Sequence, residues 1–344
     1  MPRLARPADA SPKSRAAASD LPRIVAWYLT HAYARWEGPG TVPYYCDPAR
    51  VGHFAVRPAD LAAGGEAALF RLFVAMSMFQ ARRDTVIMAQ QRAMPRPLAL
   101  SLLSPTRLRA RIQRSPCAHL ASAATFDAHC NVRKVGTRAT CDHLPGAACH
   151  VKDATLLLRR MGDMGKLPTS AWLHLWKHRP LQRELAAVLA AHADPRGRAD
   201  LLVNRFAAVY RVGRKLATMY VSALSTPALA PGLTPWFPAV DGSDLVVVDT
   251  HVARAVDHLR GPTAARTYGS RAAWLQEQAA TIDLRKLRPE LPRFSPRLVQ
   301  QAVYVFCSRS NRVARRDPCS AAACSRCPSS LCPFAARRGP SSGR

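Results

Sequence analysis

The chain has 344 residues, room for two domains of ordinary size or one large one. With 48% apolar residues it can bury a core, which excludes global disorder. No apolar run approaches the roughly 18 residues that a membrane-spanning helix needs. Fifty Lys and Arg against 22 Asp and Glu leave a net charge of +28, and such a field concentrates polyanions, nucleic acid first among them. A genome that writes arginine codons freely is the alternative source of that excess.

Taken in chain order, residues 1–20 are rich in Ala, Arg, Ser and Pro and are expected to form a disordered basic arm rather than a transit peptide. Residues 66–80 are expected to form a helix. Its apolar run from Leu69 to Phe79 is interrupted only by Arg71 and Ser77, so it should be buried. Residues 115–170 are the least legible. They hold Cys117, Cys130, Cys141 and Cys149, with His119, His129, His143 and His150 nearby. No C-x2-C knuckle occurs there, so an irregular insertion with buried thiols is favoured over a zinc site.

A helix from Ala199 to Val209 carries Leu201, Leu202, Phe206 and Val209 on one face, and after a short basic turn Leu216–Leu224 makes another. The proline-rich stretch 225–244 reads as a loop. Asp249 is a good N-cap for a helix running to Leu259, and Ser295-Pro296 marks the start of one with Leu298, Val299, Ala302, Val303 and Phe306 on one stripe. The pattern is all-α. The tail 335–344 is basic and expected to be loose.

Three constellations carry chemistry. Cys319, Cys324, Cys327 and Cys332 read C-x4-C-x2-C-x4-C, a run able to wrap one small metal centre. A single compact run leans toward iron–sulfur, whereas a zinc ribbon would show two knuckles. Cys307, on the preceding helix, reads as a core thiol. In Val209–Ala217, Gly213 lies in a turn before a helix whose exposed amides, with Arg211, Arg214 and Lys215, suit a phosphate. In Val246–Val252 an apolar run delivers Asp249 to a helix head, where plain N-capping is the simpler role.

Together these pieces resemble the helix–hairpin–helix DNA glycosylases, in the endonuclease III-like branch with a C-terminal cluster loop. That family carries L-P-G-V-G-R-K, then V-D-T-H, then four cysteines. Here V-G-R-K stands at 212–215, V-D-T-H at 248–251 and the cysteines at 319–332. A looser match, S-M-F-Q-A at 77–81, resembles the segment whose Gln fills the gap left by an extruded base. The resemblance covers roughly residues 66–90 and 199–334.

The resemblance implies two helical domains flanking a DNA-binding cleft. One is a helical barrel over 66–230, with the hairpin at 209–217 and the unmatched insertion 115–170. The other, built from 21–65 plus 245–334, carries the cluster. It also implies Lys215 as nucleophile, Asp249 as catalytic acid, and Gln80, Arg211, Val212, Gly213, Arg214, Arg315, Arg316 and Arg326 on DNA, with Arg312 facing DNA from the cluster loop. The four cysteines of the run would hold a [4Fe–4S] cluster. The partner is double-stranded DNA with a damaged or mismatched base, and a monomer is expected, in the nucleoid of a bacterium or the nucleus or an organelle of a eukaryote.

The chain departs from the family at three points. Tyr210-Arg211 replaces the hairpin's Pro-Gly, Lys215 and Asp249 are spread apart by a proline-rich stretch, and the cysteine spacing is shorter than the common one. Three alternatives stay open: a non-catalytic DNA-binding protein, a monofunctional glycosylase using Asp249 and water, and a zinc-stabilised nucleic-acid module.

Overall fold

The computed structural model describes residues 20–80, 82–157, 165–177, 181–320 and 331–334. The expected arm and tail lie outside them, apart from Asp20, which is buried at the head of the first helix. The fold is helical. Among the described residues the only sheet is a two-stranded antiparallel hairpin, Arg133–Val135 with Arg138–Thr140. No helix among the described residues is long and apolar enough to cross a membrane.

The chain divides into two compact units, residues 36–245 and residues 1–35 with 246–344. Residues 36–65 therefore group with the hairpin-bearing segment, whereas the family pattern would set all of 21–65 with the C-terminal one. The reason is packing. Val51, Phe54, Val56 and Leu61 belong to the same apolar core as the Glu66–Ser77 helix.

That helix organises the first unit. Nine of its twelve residues are buried, which is why the sequence there shows no polar face. Phe73 packs against Phe206 and Tyr220 with ring centroids 5.2 and 5.0 Å away. The Tyr220 hydroxyl donates to the Leu69 carbonyl at 3.1 Å, so its one polar atom is satisfied inside the core. The helix stops at Ser77, three residues short of the expected end, because Phe79 and Gln80 turn tightly, their amides donating to Met76 and Met78.

Pro195–Ala207 and Gly213–Ser225 form an antiparallel pair in the same unit. Asp194 caps the first, accepting from the Arg196 and Gly197 amides. The buried stripe is Ala199, Leu202, Val203 and Phe206, and Leu201 is 40% exposed rather than facing the core. At 100° per residue, 201 falls off the stripe that 199, 202 and 206 share. The 115–170 insertion is more regular than expected, with helices Ala123–His129 and His150–Leu157 flanking the strand hairpin. Its four thiols are half-buried, not buried.

In the second unit, Pro296–Cys307 is the central helix. It packs against Asp20–Trp27, Thr250–Arg260 and Tyr268–Ala279. Ser295 caps it through the Leu298 amide at 3.3 Å, with Pro296 in its first turn. Trp27 meets Phe306 edge-on at 5.1 Å, and Arg288 donates to the Leu29 carbonyl while lying over Tyr33.

Candidate functional site

The hairpin begins where Val209 and Val212 close a turn, the Val212 amide donating to the Val209 carbonyl at 2.9 Å. Both side chains are buried and anchor the turn from below. The Tyr210 amide donates to Ser170 Oγ at 3.1 Å, and the Lys166 ammonium sits 4.1 Å from the centre of the Tyr210 ring. Tyr210 thus ties the hairpin to the end of the insertion.

Arg211 has φ +62 and Gly213 has φ +57, with Val212 right-handed between them. The left-handed backbone that a glycine would provide is therefore kept at 211, although an arginine occupies it. Alternation of hand turns neighbouring amides toward one side, the geometry of an anion-binding nest. The Gly213–Ser225 helix has no side-chain N-cap, so its first amides are left for an external acceptor. Arg211, Gly213 and Arg214 are exposed. Arg214 is paired with Asp200 at 2.9 Å and donates to Asn204 at 3.1 Å, so part of its charge is already offset.

Lys215 is half-buried in the first turn of that helix. Its Nζ lies 3.3 Å from the carbonyl oxygen of Phe79, 136 positions away in the chain. The hairpin lysine therefore stands beside the residue that precedes Gln80. Gln80 is half-buried, and its Nε2 donates to the Ser77 carbonyl at 2.7 Å, closing the end of the Glu66–Ser77 helix. That contact holds the side chain against its own turn.

In the second unit Val246, Val247 and Val248 run extended and buried into Asp249. Buried amides need partners. The Val247 amide donates to Gln300 Oε1 at 3.4 Å, the Val248 amide to the Tyr268 hydroxyl at 3.4 Å, and that hydroxyl donates to the Val246 carbonyl at 2.8 Å. Asp249, half-buried, caps the Thr250–Arg260 helix, its Oδ1 accepting from the Val252 amide at 2.8 Å. Its Oδ2 takes no hydrogen bond from the described residues. Capping is thus real, and it occupies only one carboxylate oxygen. Tyr268 and Gln300 were not singled out from sequence; nothing marks a helix-surface Tyr or Gln as the partner of a distant extended run.

Of the cysteine run, Cys319 and Cys332 are described, and Cys324, Cys327 and Arg326 lie outside the described residues. Arg312 corrects an expectation. It is 1% exposed rather than facing DNA, and its guanidinium lies over Trp27, Phe306 and Phe334. Its Nε donates to Asp317 Oδ2 at 2.6 Å, and Asp317 Oδ1 accepts from the Cys319 amide at 2.9 Å. Its Nη1 reaches within 4.0 Å of Cys332 Sγ. One buried ion pair therefore places the first and last cysteines of the run. Arg316 is exposed, and Arg315 is half-buried, donating to Asn311 at 3.0 Å. Cys307 is half-buried, and burial pushes its thiol up to about 12, with the Asp249 carboxylate adding to the rise. It is an inert thiol.

No family model, no curated protein and no solved structure matches the chain. Among the described residues no three His, Cys, Asp or Glu side chains stand close enough together to hold a metal ion as they are.

Proposed function

We propose that this chain is a base-excision DNA glycosylase with strand-nicking lyase activity. The observation that carries the reading is the meeting of Lys215 with Phe79, beside Gln80. An amine far away in sequence thus reaches the backbone of the residue before the candidate gap-filling side chain, in the first turn of a helix whose uncapped start suits a phosphate.

A base inside a duplex is out of reach, so the target nucleotide must leave the stack at a cost of a few kcal/mol. Phosphate contacts from Arg211, Arg214 and the start of the Gly213–Ser225 helix, which has no side-chain cap, offset that cost. Gln80 would fill the vacated space. The Lys215 amine attacks C1′ of the sugar as the C1′–N bond to the base breaks and the base departs with a proton. Loss of a proton and ring opening leave a Schiff base, and elimination from it cuts the strand. Asp249 stabilises positive charge on the sugar and moves protons through its second oxygen. The donor set of Cys319, Cys324, Cys327 and Cys332 fits a [4Fe–4S] cluster, which would fold the C-terminal loop and takes no part in the base chemistry.

The Lys215–Phe79 bond also favours one alternative. An amine that stays on that carbonyl would only position the hairpin, and Asp249 with water would then release the base without nicking.

A panel of duplexes bearing oxidised, alkylated, deaminated and mismatched bases, run with and without borohydride, tests the reading. Base release together with a trapped covalent adduct is expected from at least one lesion. Release without an adduct selects the monofunctional enzyme, and tight binding to abasic DNA without release removes catalysis altogether.

A further inference from the structure

The insertion that the repair chemistry leaves unused brings its four cysteines to one place. Each stands at the end of an element, where the backbone is free to turn. Cys117 precedes the short helical turn Ala118–Ala121, and Cys130 directly follows Ala123–His129. Cys141 directly follows the strand Arg138–Thr140, and Cys149 directly precedes His150–Leu157. All four line a single cavity of about 20 Å³.

The hairpin explains how residues so far apart converge. Val135 pairs with Arg138 across a two-residue turn in which Gly136 supplies φ +58. Continuing the same register sets Cys141 opposite Val132, two residues from Cys130. Asp142 locks this end, accepting from Asn131 Nδ2 at 2.6 Å and from the Arg133 guanidinium at 2.7 Å. The Leu144 amide donates to Cys141 Sγ at 3.4 Å, fixing where that sulfur stands. The Lys152 ammonium gathers the carbonyls of Leu144, Pro145 and Ala147, pinning the loop between Cys141 and Cys149 to the last helix. His119 and His143 stack at 4.2 Å on the wall of the same cavity.

We propose that Cys117, Cys130, Cys141 and Cys149 form a structural zinc site that fastens the insertion, independently of the repair reading and of the C-terminal cysteine run. Space for about one water-sized body suits a single ion, and a four-iron cube is too large for it. Four sulfur ligands in a closed tetrahedral set are the ordinary environment of structural zinc. The thiols line the cavity without standing at ligand separation, so binding must draw the sulfurs inward. Each Zn²⁺ taken up displaces the four thiol protons, leaving four Zn–S bonds and a net charge of −2 on the site. The Lys152 ammonium, held on the loop carbonyls between Cys141 and Cys149, offsets part of it. The absence of a C-x2-C knuckle is no obstacle, since the fold itself delivers the ligands in place of a knuckle.

The test is elemental analysis of the full-length protein together with cobalt substitution. One zinc per chain is expected, separate from any iron. Cys130→Ser with Cys141→Ser should lose the zinc and keep the iron, and Cys319→Ser with Cys332→Ser should lose the iron and keep the zinc. Cobalt added to the chelator-treated wild type should give intense thiolate-to-cobalt absorption, a readout that needs no variant to fold. Zinc retained by the Cys130/Cys141 variant, or a wild type that holds none and gives no thiolate–cobalt bands, would overturn the assignment.

Discussion

At the scale of single residues, Asp249 offers the sharpest separation of roles. Asn caps a helix about as well as Asp, so Asp249→Asn should leave the Thr250–Arg260 helix and thermal stability within about 0.5 kcal/mol of wild type while abolishing base release. Asp249→Ala should lose release and about 1 kcal/mol besides. Normal turnover by the Asn variant, measured as free base, would reduce Asp249 to a cap. Lys215→Ala should bind abasic duplex yet give no borohydride-trapped adduct, and persistent trapping would assign the amine elsewhere. Arg211 holds a left-handed φ of +62 that costs a non-glycine residue on the order of 1 kcal/mol. Arg211→Gly should therefore raise stability slightly, by up to about 0.5 kcal/mol in urea titration, after the added freedom of the unfolded chain is counted. A fall in stability would mean that the Arg211 side chain contributes more than its strain removes.

At the scale of elements, capped starts were legible and so were the ends near Leu224 and Leu259, within one residue, but the end of the buried helix was not. Asp249 and Ser295-Pro296 were readable as helix starts because capping is a local exchange between a side chain and an amide two or three residues on. The end of Glu66–Ser77 was not, because the apolar run continues through Phe79 while the backbone turns away to bring Phe79 beneath Lys215. The stretch leading into the C-terminal cysteine run shows the same limit. Arg312 looked like one more surface cation, yet only the packed helix ends around Trp27 and Phe306 make it a buried anchor. Removing its partner should expose the cost. Asp317→Asn leaves a buried guanidinium unbalanced, and a loss of about 3–5 kcal/mol is expected, with iron content falling as Cys319 and Cys332 lose their common anchor. Unchanged iron and stability would separate the ion pair from the metal site.

At the scale of the whole molecule, net charge is the property that composition dictates most directly. Affinity for undamaged duplex should fall about 10³-fold or more between 50 and 200 mM salt if six or more phosphates are engaged. A flat salt dependence in a filter or anisotropy assay would separate the arginine excess from nucleic-acid binding.

By itself the sequence determined the helical class, the principal caps, the two clusters of cysteines and the hairpin and Asp-Thr-His motifs, because periodicity, capping and ligand spacing act within a few residues. Tertiary structure alone decided that residues 36–65 share a core with 66–245, that Lys215 meets Phe79, that Arg312 is buried, and that four scattered thiols line one cavity. These depend on which surfaces pack together over long separations, and burial is a property of the packed whole that no local pattern encodes.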